Sequence, residues 1–313
     1  MAAEAPSLEL KRRVEYFELG ARSYLARCDN TRLPFRWTIN PYRGCEFGCK
    51  YCYARYTHEF MELRDPGQFE RKIYAKKFDA GHFRSELRSL PLGETIALGT
   101  ATDPYQPAER RYGVTRKMLE VFASISGFDL GITTKSDLVA RDVDLLKEIS
   151  RRHYLRVSVT VTTADPELAR LLEPMAPRPD LRLEAVRVLA NAGLRVVVGC
   201  SPVMPLINDS EASLDALARE AAAAGASALW ANVLFLNPCA YRVFLPFLEE
   251  RFPHLVRKYR EQYERAAYLR GAYPEMIQER VEVIRKRHGL DRKADSPEPE
   301  FWPRDSQLPL FDG

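Results

Sequence analysis

Short apolar runs of strand length alternate with amphipathic stretches of helical length between residues 37 and 233. The run at 194–199 is rich in β-branched residues, as expected of a strand that is buried on both faces of a parallel sheet. Strands that alternate with helices predict βαβ units and a parallel sheet. Six runs are the strand candidates: 37–39, 95–99, 130–133, 156–161, 195–199 and 228–233.

Amphipathic stretches with a helical period lie between these runs, at 137–150, 181–192 and 213–224. Gly193 and Gly225 follow the second and third stretches, where glycine is a common helix stop signal. Six strand–helix repeats fill about 200 residues, fewer than the roughly 250 of an eight-fold barrel. We therefore predict an α/β fold, a partial (β/α)6 TIM-like barrel with a C-terminal helical extension. An open doubly wound sheet fits the same pattern.

The strand pattern ends near residue 240, and a helical period continues beyond it. Leu255, Tyr259 and Tyr263 recur on one face, and Pro274 suits the first turn of a further helix. From residue 294 onward the chain is rich in proline, serine and acidic residues, and we expect it to be flexible. The predicted divisions are an N-terminal segment 1–36, a core 37–240, a helical extension 241–293 and a tail 294–313.

Composition narrows the class of protein. Hydrophobic residues make up 46% and charged residues 29% of the 313 residues, as in ordinary globular proteins. The formal net charge of +4 is too small to indicate nucleic-acid binding by itself. No apolar run reaches the roughly 18 residues of a membrane span, and the first residues lack an apolar signal core. We therefore expect a cytoplasmic protein.

Three cysteines lie in one loop with the spacing Cys45-x3-Cys49-x2-Cys52. The loop follows the first strand candidate and precedes a helical stretch at 54–63, which places it at the carboxyl edge of the sheet, where α/β folds have their active sites. A [4Fe–4S] cluster held by cysteine takes four ligands. Three thiolates therefore leave one iron open, and an open metal position can bind and activate a small molecule.

Other interpretations of this loop remain open. Cys45, Cys49, Cys52 and His58 could form a Cys3His zinc site, although zinc ligands usually come as two separated pairs. A structural iron–sulfur cluster with a fourth ligand from elsewhere is a further alternative. The remaining cysteines, which are scattered, are interpreted as small buried hydrophobic residues: Cys28, Cys200 and Cys239.

The cysteine spacing, with Tyr51 and Tyr53 on either side of the third cysteine, resembles the radical S-adenosylmethionine (SAM) superfamily. Within that superfamily the chain is similar to the spore photoproduct lyase-like branch, over roughly residues 35–240. The segments that carry this resemblance are 40–45, 51–55, 99–107, 133–136, 158–160 and 172–174.

The resemblance implies a mechanism. In the family, the open iron binds the amino and carboxylate groups of SAM, one electron cleaves the sulfonium C–S bond, and a 5′-deoxyadenosyl radical takes a hydrogen atom from the substrate. The protein binds and orients the cofactors and excludes side reactions, which requires a closed, dry site. The implied cofactors are a [4Fe–4S] cluster and SAM, and the implied partner is a flavodoxin- or ferredoxin-type reductant.

The resemblance also implies roles for single residues. Tyr53 is expected near the adenine of SAM, Lys135 beside its carboxylate, and Ser158 near its ribose or carboxylate. The structural alternatives are plain packing for Tyr53, a surface position for Lys135 and filling of the barrel interior for Ser158. Three residues at the end of the second strand are expected near SAM and substrate: Thr100, Thr102 and Asp103.

One position departs from the family pattern. Spore photoproduct lyases use a cysteine on the second strand as a hydrogen-atom donor, and Thr100 occupies its place here. A hydroxyl is a poor hydrogen-atom donor compared with a thiol. Tyr51 and Tyr53 match the tyrosines that flank the third ligand in that enzyme. With an incomplete relay, we expect a relative that carries out a different reaction.

A second motif lies at the C-terminus. Gln307, Leu308, Leu310 and Phe311 resemble the peptide by which bacterial replication and repair proteins bind the DNA sliding clamp. An apolar segment on a polar tail suits docking into a groove on a partner. The alternative is that these side chains pack on the protein's own surface.

These observations predict a radical SAM enzyme of lyase or DNA-repair type, acting on DNA or a nucleotide lesion. The alternative class is a non-catalytic zinc- or iron–sulfur-binding adaptor that docks on the sliding clamp.

Overall fold

Ten strands form two sheets in the computed structural model, which describes residues 14–31, 33–291 and 298–303. The larger sheet has seven strands and the smaller has three. In chain order the strands are β1 (Glu15–Leu19), β2 (Leu25–Arg27), β3 (Trp37–Ile39), β4 (Tyr42–Arg43), β5 (Lys72–Lys76), β6 (Thr95–Leu98), β7 (Asp129–Thr134), β8 (Tyr154–Thr160), β9 (Val196–Val203) and β10 (Ala228–Val233).

The larger sheet has the order β10-β9-β8-β7-β6-β3-β2. From β3 to β10 every neighbouring pair is parallel, and only β2 at the edge is antiparallel. The six parallel strands are the six predicted strand candidates. Because β10 and β2 are the two edge strands of this sheet and do not pair with each other, the barrel is open. The predicted partial (β/α)6 fold is therefore confirmed.

The smaller sheet was not predicted. In it, β5 lies between β1, which is parallel, and β4, which is antiparallel. These strands are short, and β1 is largely exposed, so none of them gives a clear apolar run. The sheet matters for the site because β4 leads directly into the cysteine loop.

The helices mostly occupy the spaces between strands that their periodicity predicts. Single-turn 3₁₀ segments also occur at Tyr53–Arg55 and Pro253–Leu255, and a longer one at Asp137–Asp142. The stretch predicted as a helix at 54–63 contains only the first of these and one α-helical turn. The α-helices are α1 (Tyr56–Glu59), α2 (Gln68–Arg71), α3 (Ala80–Arg88), α4 (Pro107–Tyr112), α5 (Val114–Phe122), α6 (Val143–Ser150), α7 (Pro166–Leu172), α8 (Pro179–Asn191), α9 (Glu211–Ala223), α10 (Pro238–Arg251), α11 (Val256–Tyr263) and α12 (Ala272–Arg287).

Local sequence signals fix the helix starts that matter for the site. The side chain of Asp165 accepts hydrogen bonds from the first amides of α7, and proline follows it at the first helical position. Asn237 caps α10 in the same way by accepting from Ala240 N at 3.0 Å. Helix α7 ends at Leu172, and the next residue, Glu173, lies at the edge of the cysteine loop.

The main core lies between the parallel sheet and its outer helices. Alternate strand residues such as Ile39, Leu98, Ile132, Val157 and Val198 are fully buried there. This alternation puts the intervening residues on the inner face of the open barrel. None of the helices in the described part of the chain combines the length and apolar character needed to cross a lipid bilayer.

The C-terminal region packs more closely than predicted. Helix α12 packs on β10 and α9. Beyond it, Glu300 forms a salt bridge with Arg151 at 2.7 Å, and the ring of Trp302 lies 4.7 Å from that of Tyr154. Within the tail that the sequence predicts to be flexible, residues 298–303 thus include two that contact the body of the protein.

Candidate functional site

The cysteine loop runs from the end of β4 to the 3₁₀ turn at Tyr53–Arg55, at the carboxyl edge of the parallel sheet. Backbone hydrogen bonds tie it to two other regions: Cys45 N donates to Phe69 O at 3.0 Å, and Lys50 N donates to Leu172 O at 2.9 Å. The loop is thus held between α2 and the end of α7.

Gly44 allows the loop to make its first turn. Its φ is +80°, and a Cβ at this position would lie 2.7 Å from Lys72 O and 2.9 Å from Phe69 O. Both contacts are too short, and both atoms belong to backbone. Its carbonyl accepts two hydrogen bonds, from Thr102 Oγ1 at 2.6 Å and Gln106 Nε2 at 3.0 Å. The approach to Cys45 is therefore fixed by a glycine and two buried side chains.

A buried arginine supports the other end of the loop. Arg55 donates from Nη2 to the carbonyl of Cys49 at 2.9 Å and pairs with Glu70 at 2.5 Å. Its side chain is almost fully buried. This contact orients the backbone between the second and third cysteines.

The three loop cysteines are free thiols, two buried and one half-buried. Burial raises the pKa of each, and that of Cys49 reaches about 12. The negative charges of Asp103, Cys49 and Cys52 raise the pKa of Cys45 further. A cationic metal centre reverses this preference, since a coordinating thiol is deprotonated.

This donor set fits an iron–sulfur cube better than a single ion. Among the residues that the structure describes, no three His, Cys, Asp or Glu side chains are arranged to hold one metal ion. A cube does not need such convergence, because each thiolate binds a different iron. The residues present therefore fit a [4Fe–4S] cluster with three protein ligands.

His58 does not join the cysteines as the zinc hypothesis requires. Its Nε2 lies 3.0 Å from the carbonyl of Lys72, and its ring packs edge-on against Phe69. Burial lowers its pKa, which keeps the ring neutral. His58 thus packs between α1 and β5 and does not converge with the three cysteines in the described part of the chain.

Asp103 joins the ends of two strands beside the loop. It accepts hydrogen bonds from Thr134 Oγ1 at 2.7 Å, Lys135 N at 2.7 Å and Tyr105 N at 2.9 Å. Burial nonetheless raises its pKa. The carboxylate fixes the turn after β7, and with it the position of Lys135.

Lys135 is a cation at the centre of the site. Its Nζ lies 5.7 Å from the centroid of the Tyr51 ring. Burial opposes its charge, but the charges of Cys49 and Glu173 outweigh burial and raise the pKa of Lys135. A protonated amine therefore lies beside the thiols, at the carboxyl end of β7.

Tyr51 belongs to a buried polar network that sequence reasoning missed. Its hydroxyl donates to Glu173 and lies 3.1 Å from Thr162 Oγ1, which donates to the same carboxylate oxygen at 2.6 Å. Arg182 pairs with the other oxygen of Glu173 at 2.5 Å. Although burial raises the pKa of Glu173, Arg182 and Lys135 bring it below the ordinary value.

Arg182 is itself held by backbone. It donates to Pro177 O at 2.7 Å and Thr160 O at 3.1 Å, and its side chain is 1% exposed. The segment 172–174 contributes to the family resemblance. The only sequence signal at Glu173 is that a charged residue directly follows a helical stretch that ends in two leucines, and this does not indicate that Glu173 faces the loop.

Thr100 and Tyr53 meet at the rim of the site. The Tyr53 hydroxyl donates to the carbonyl of Thr100, and the hydroxyl of Thr100 lies 3.1 Å from Asn40 Nδ2. Asn40 also accepts from Ala101 N at 2.7 Å, so it links the ends of β3 and β6. The side chain of Thr100 is thus used in a structural hydrogen bond.

Ser158 lies on the inner face of the barrel. It accepts a hydrogen bond from Trp230 Nε1 at 3.0 Å. The indole ring occupies the space that a side chain at Gly199 would fill, since a Cβ there would lie 2.6 Å from the ring. Ser158 therefore supports Trp230.

The structure brings most of the predicted site residues to one edge of the sheet, on the cysteine loop and the strand ends around it. The predicted partner-binding residues Gln307, Leu308, Leu310 and Phe311 lie outside the described residues.

Comparisons with known proteins agree with this geometry. The family model described as the Radical SAM superfamily matches residues 39–217. An uncharacterised protein of Mycobacterium bovis is 38% identical over 95% of this chain and 88% of its own length. An uncharacterised protein of Methanocaldococcus jannaschii is 28% identical over 82% and 89%, respectively.

Among solved structures, a spore photoproduct lyase variant with bound AdoMet and dinucleoside spore photoproduct matches with a TM-score of 0.63. The match covers 87% of this chain and 79% of that chain, at 16% identity. A second variant of that lyase gives a TM-score of 0.65 at 17% identity. At such low identity the likeness concerns the fold alone.

Proposed function

The chain belongs to the radical SAM superfamily, whose members use a [4Fe–4S] cluster and SAM, and from this premise we propose an enzyme that acts on a nucleic-acid lesion or modified nucleotide. Its cluster ligands are Cys45, Cys49 and Cys52. The observation that carries the proposal is the loop, tied by backbone hydrogen bonds to Phe69 and Leu172, that presents the three free thiols of Cys45, Cys49 and Cys52. When bound, the cluster and SAM supply a 5′-deoxyadenosyl radical that removes a hydrogen atom from the substrate.

The charged residues around the loop are suited to orient SAM. The ammonium of Lys135 is available for the SAM carboxylate, and Asp103 fixes the backbone from which it extends. The ring of Tyr53, directly after the third cysteine, is proposed to lie near the adenine. Thr102 is proposed to support the SAM site indirectly, because its hydroxyl donates a hydrogen bond to the carbonyl of Gly44.

Ser158 is proposed to line the barrel interior on the ribose side. Its hydroxyl accepts from Trp230, so its own proton remains available to a ligand oxygen. A Ser158→Ala variant should therefore weaken SAM binding and also loosen the indole ring.

A nucleic-acid substrate is supported by the fold shared with a lyase that was solved with a dinucleoside photoproduct. The final step is proposed to differ from that of the lyase. Thr100 carries no thiol, and the Tyr51 hydroxyl is turned into a buried carboxylate. Neither group is placed to return a hydrogen atom to a product, so we propose that Tyr51 is a positioning residue.

The test of this proposal is anaerobic reconstitution followed by a deoxyadenosine assay with a strong reductant. Native protein should contain about four irons and four sulfides per chain, consistent with one cube, and should release deoxyadenosine. Replacing Cys45, Cys49 and Cys52 with alanine should abolish both. Cys28→Ala, which removes a half-buried cysteine near the opposite end of β3, is the matched control. Unchanged iron absorbance in the triple variant would reject the assignment.

The metal content and the deoxyadenosine assay of the reconstituted protein also test the alternative of a non-catalytic adaptor. One zinc per chain and no deoxyadenosine would favour the adaptor. A flavodoxin- or ferredoxin-type protein is proposed as the physiological electron donor, and the cytoplasm as the location. Replacing the chemical reductant with a reduced flavodoxin should sustain deoxyadenosine formation.

The C-terminal motif supports the sliding clamp as a second partner. Burial of three apolar side chains contributes about 5–9 kcal/mol, whereas ordering five residues costs about 1–2 kcal/mol each. We therefore expect micromolar or weaker binding. A pull-down with purified clamp should lose the protein when Leu310 and Phe311 become alanine and retain it in the control Asp312→Asn. Equal retention of both variants would remove this partner.

A further inference from the structure

Three aromatic rings lead outward from the cysteine loop. The ring of Tyr53 lies 6.0 Å from that of Phe235, which is stacked on Tyr268 at 4.3 Å and 25°. Tyr53 is 41% exposed and Tyr268 57% exposed. We call these three residues the aromatic rim. It begins at the residue after the third cysteine, so its inner end is at the site itself.

Backbone contacts hold the outer ring in place. Leu236 N donates to Ala267 O at 2.9 Å, and Phe235 and Tyr268 form an antiparallel bridge. Exposure alternates along residues 266–270, so that residues 266, 268 and 270 are exposed and residues 267 and 269 are half-buried. Tyr268 and Arg270 are therefore both open to solvent, while Leu269 packs against a second buried cluster that includes Phe244 and Tyr259.

The cations next to the rim are available to a ligand. Arg265 and Arg270 are both exposed, and neither forms an ion pair with any residue of the described chain. By contrast, most surface arginines on nearby helices are paired, as Arg242 is with Glu59 and Arg260 with Glu249. An exposed ring next to unpaired guanidinium groups offers a stacking surface together with a phosphate contact.

We propose that the aromatic rim and Arg270 bind the unpaired bases and the backbone of a nucleic-acid strand at the entrance to the site. This proposal rests on the proposed function and names its substrate form: single-stranded or locally unpaired rather than fully paired. Bases stack on Tyr268, because every base has a π-face, and Arg270 contacts the adjoining phosphate. In an intact duplex the bases are stacked on each other, so the rim has no ring to contact.

The aromatic rim also gives an extruded nucleotide a surface to bind next to the cysteine loop. A base extruded from a duplex must find a replacement for its stacking partners. Tyr268 and Phe235 supply that replacement next to Tyr53. The strand is thereby held with one nucleotide pointing toward the cysteine loop.

Binding of a fluorescein-labelled 12-nucleotide oligothymidylate to the reconstituted protein, followed by fluorescence anisotropy, tests the proposal. Tyr268→Ala should weaken binding at least about five-fold, whereas Tyr268→Phe should retain it, because stacking needs the ring and not the hydroxyl. Arg270→Gln should reduce the slope of log affinity against log salt by about 0.7, corresponding to one phosphate contact. A duplex of the same length should bind more weakly than the single strand.

The matched control is Phe17→Ala, which removes a partly exposed ring stacked on Tyr74 on the smaller sheet. Arg219→Gln on α9 is the charge control for Arg270→Gln. Both controls should bind like the native protein. Equal affinity of native protein and Tyr268→Ala, or no oligonucleotide binding at all, would overturn the proposal. Deoxyadenosine formation without a nucleic acid is measured in parallel, and it reports separately on the proposed radical SAM function.

Discussion

The hydroxyl of Tyr51 donates a hydrogen bond to the carboxylate of Glu173, 122 residues later in the chain. The first residue lies between Cys49 and Cys52, two of the proposed cluster ligands, and the second directly follows α7. This hydrogen bond connects the cysteine loop to the Glu173–Arg182 pair in the interior. The orientation of the loop therefore depends on a buried charge that is distant in sequence.

Glu173→Gln should destabilise the protein strongly. Arg182 would then keep its charge in a site where both side chains are at most 1% exposed, and an uncompensated buried charge costs about 3–5 kcal/mol. Glu184→Gln is the matched control, since Glu184 pairs with Arg187 at the surface, where a pair contributes about 0–1 kcal/mol. Urea unfolding of both variants measures the difference. Similar losses in the two variants would mean that the buried pair is not a structural anchor.

His153 should make the stability depend on pH. Burial lowers its pKa from 6.5 to about 4, and its Nδ1 accepts from Phe128 N while its Nε2 faces Phe122 O. Between pH 6.5 and about 4, His153 is therefore protonated in the unfolded chain and neutral in the folded chain. Its stabilising contribution is complete above pH 6.5 and decreases as the pH falls through this window.

The free energy of unfolding should drop by about 1 kcal/mol between pH 7 and pH 5.5 because of this one residue. In His153→Gln the amide can form both hydrogen bonds without titrating, so this part of the pH dependence should disappear. Urea titrations at the two pH values make the comparison. An unchanged slope in the variant would assign the effect to other groups.

Gly44→Ala should damage the cysteine loop, whereas Gly93→Ala should not. Both glycines have a φ of +80°, so both substitutions carry the same backbone strain of about 1–2 kcal/mol. Only at Gly44 would the new Cβ meet backbone oxygens; at Gly93 nothing lies within 4 Å. Iron content after reconstitution should fall in Gly44→Ala alone. Equal iron content in the two variants would show that the loop tolerates the clash.

Thr102→Val should weaken the loop without changing the affinity for SAM. The substitution keeps the shape and removes two hydrogen bonds, the one that Thr102 donates to Gly44 O and the one that it accepts from Gln106 Nε2, each worth about 0.5–1.5 kcal/mol. Thermal unfolding and the rate of cluster loss on dilution should report this change. The KM for SAM, measured with iron-loaded protein, should stay at the native value. A raised KM would assign Thr102 a direct contact with SAM.

The sequence by itself determined the local features of this protein. The spacing of Cys45, Cys49 and Cys52, the six parallel strands and the helices near 181–192 and 213–224 follow from periodicity and from residues a few positions apart. These features are set by neighbouring residues, which is why a single chain without its structure reveals them.

Only the tertiary structure decided which distant residues support the site. Tyr51 meets Glu173, Thr102 meets Gly44, and Phe235 stacks on Tyr268, although nothing in the sequence near either partner indicates the other. The strands β1, β4 and β5 were also invisible, because short half-exposed strands are stabilised by pairing with each other rather than by their own pattern. Such contacts depend on how whole elements pack, and packing is a property of the folded chain.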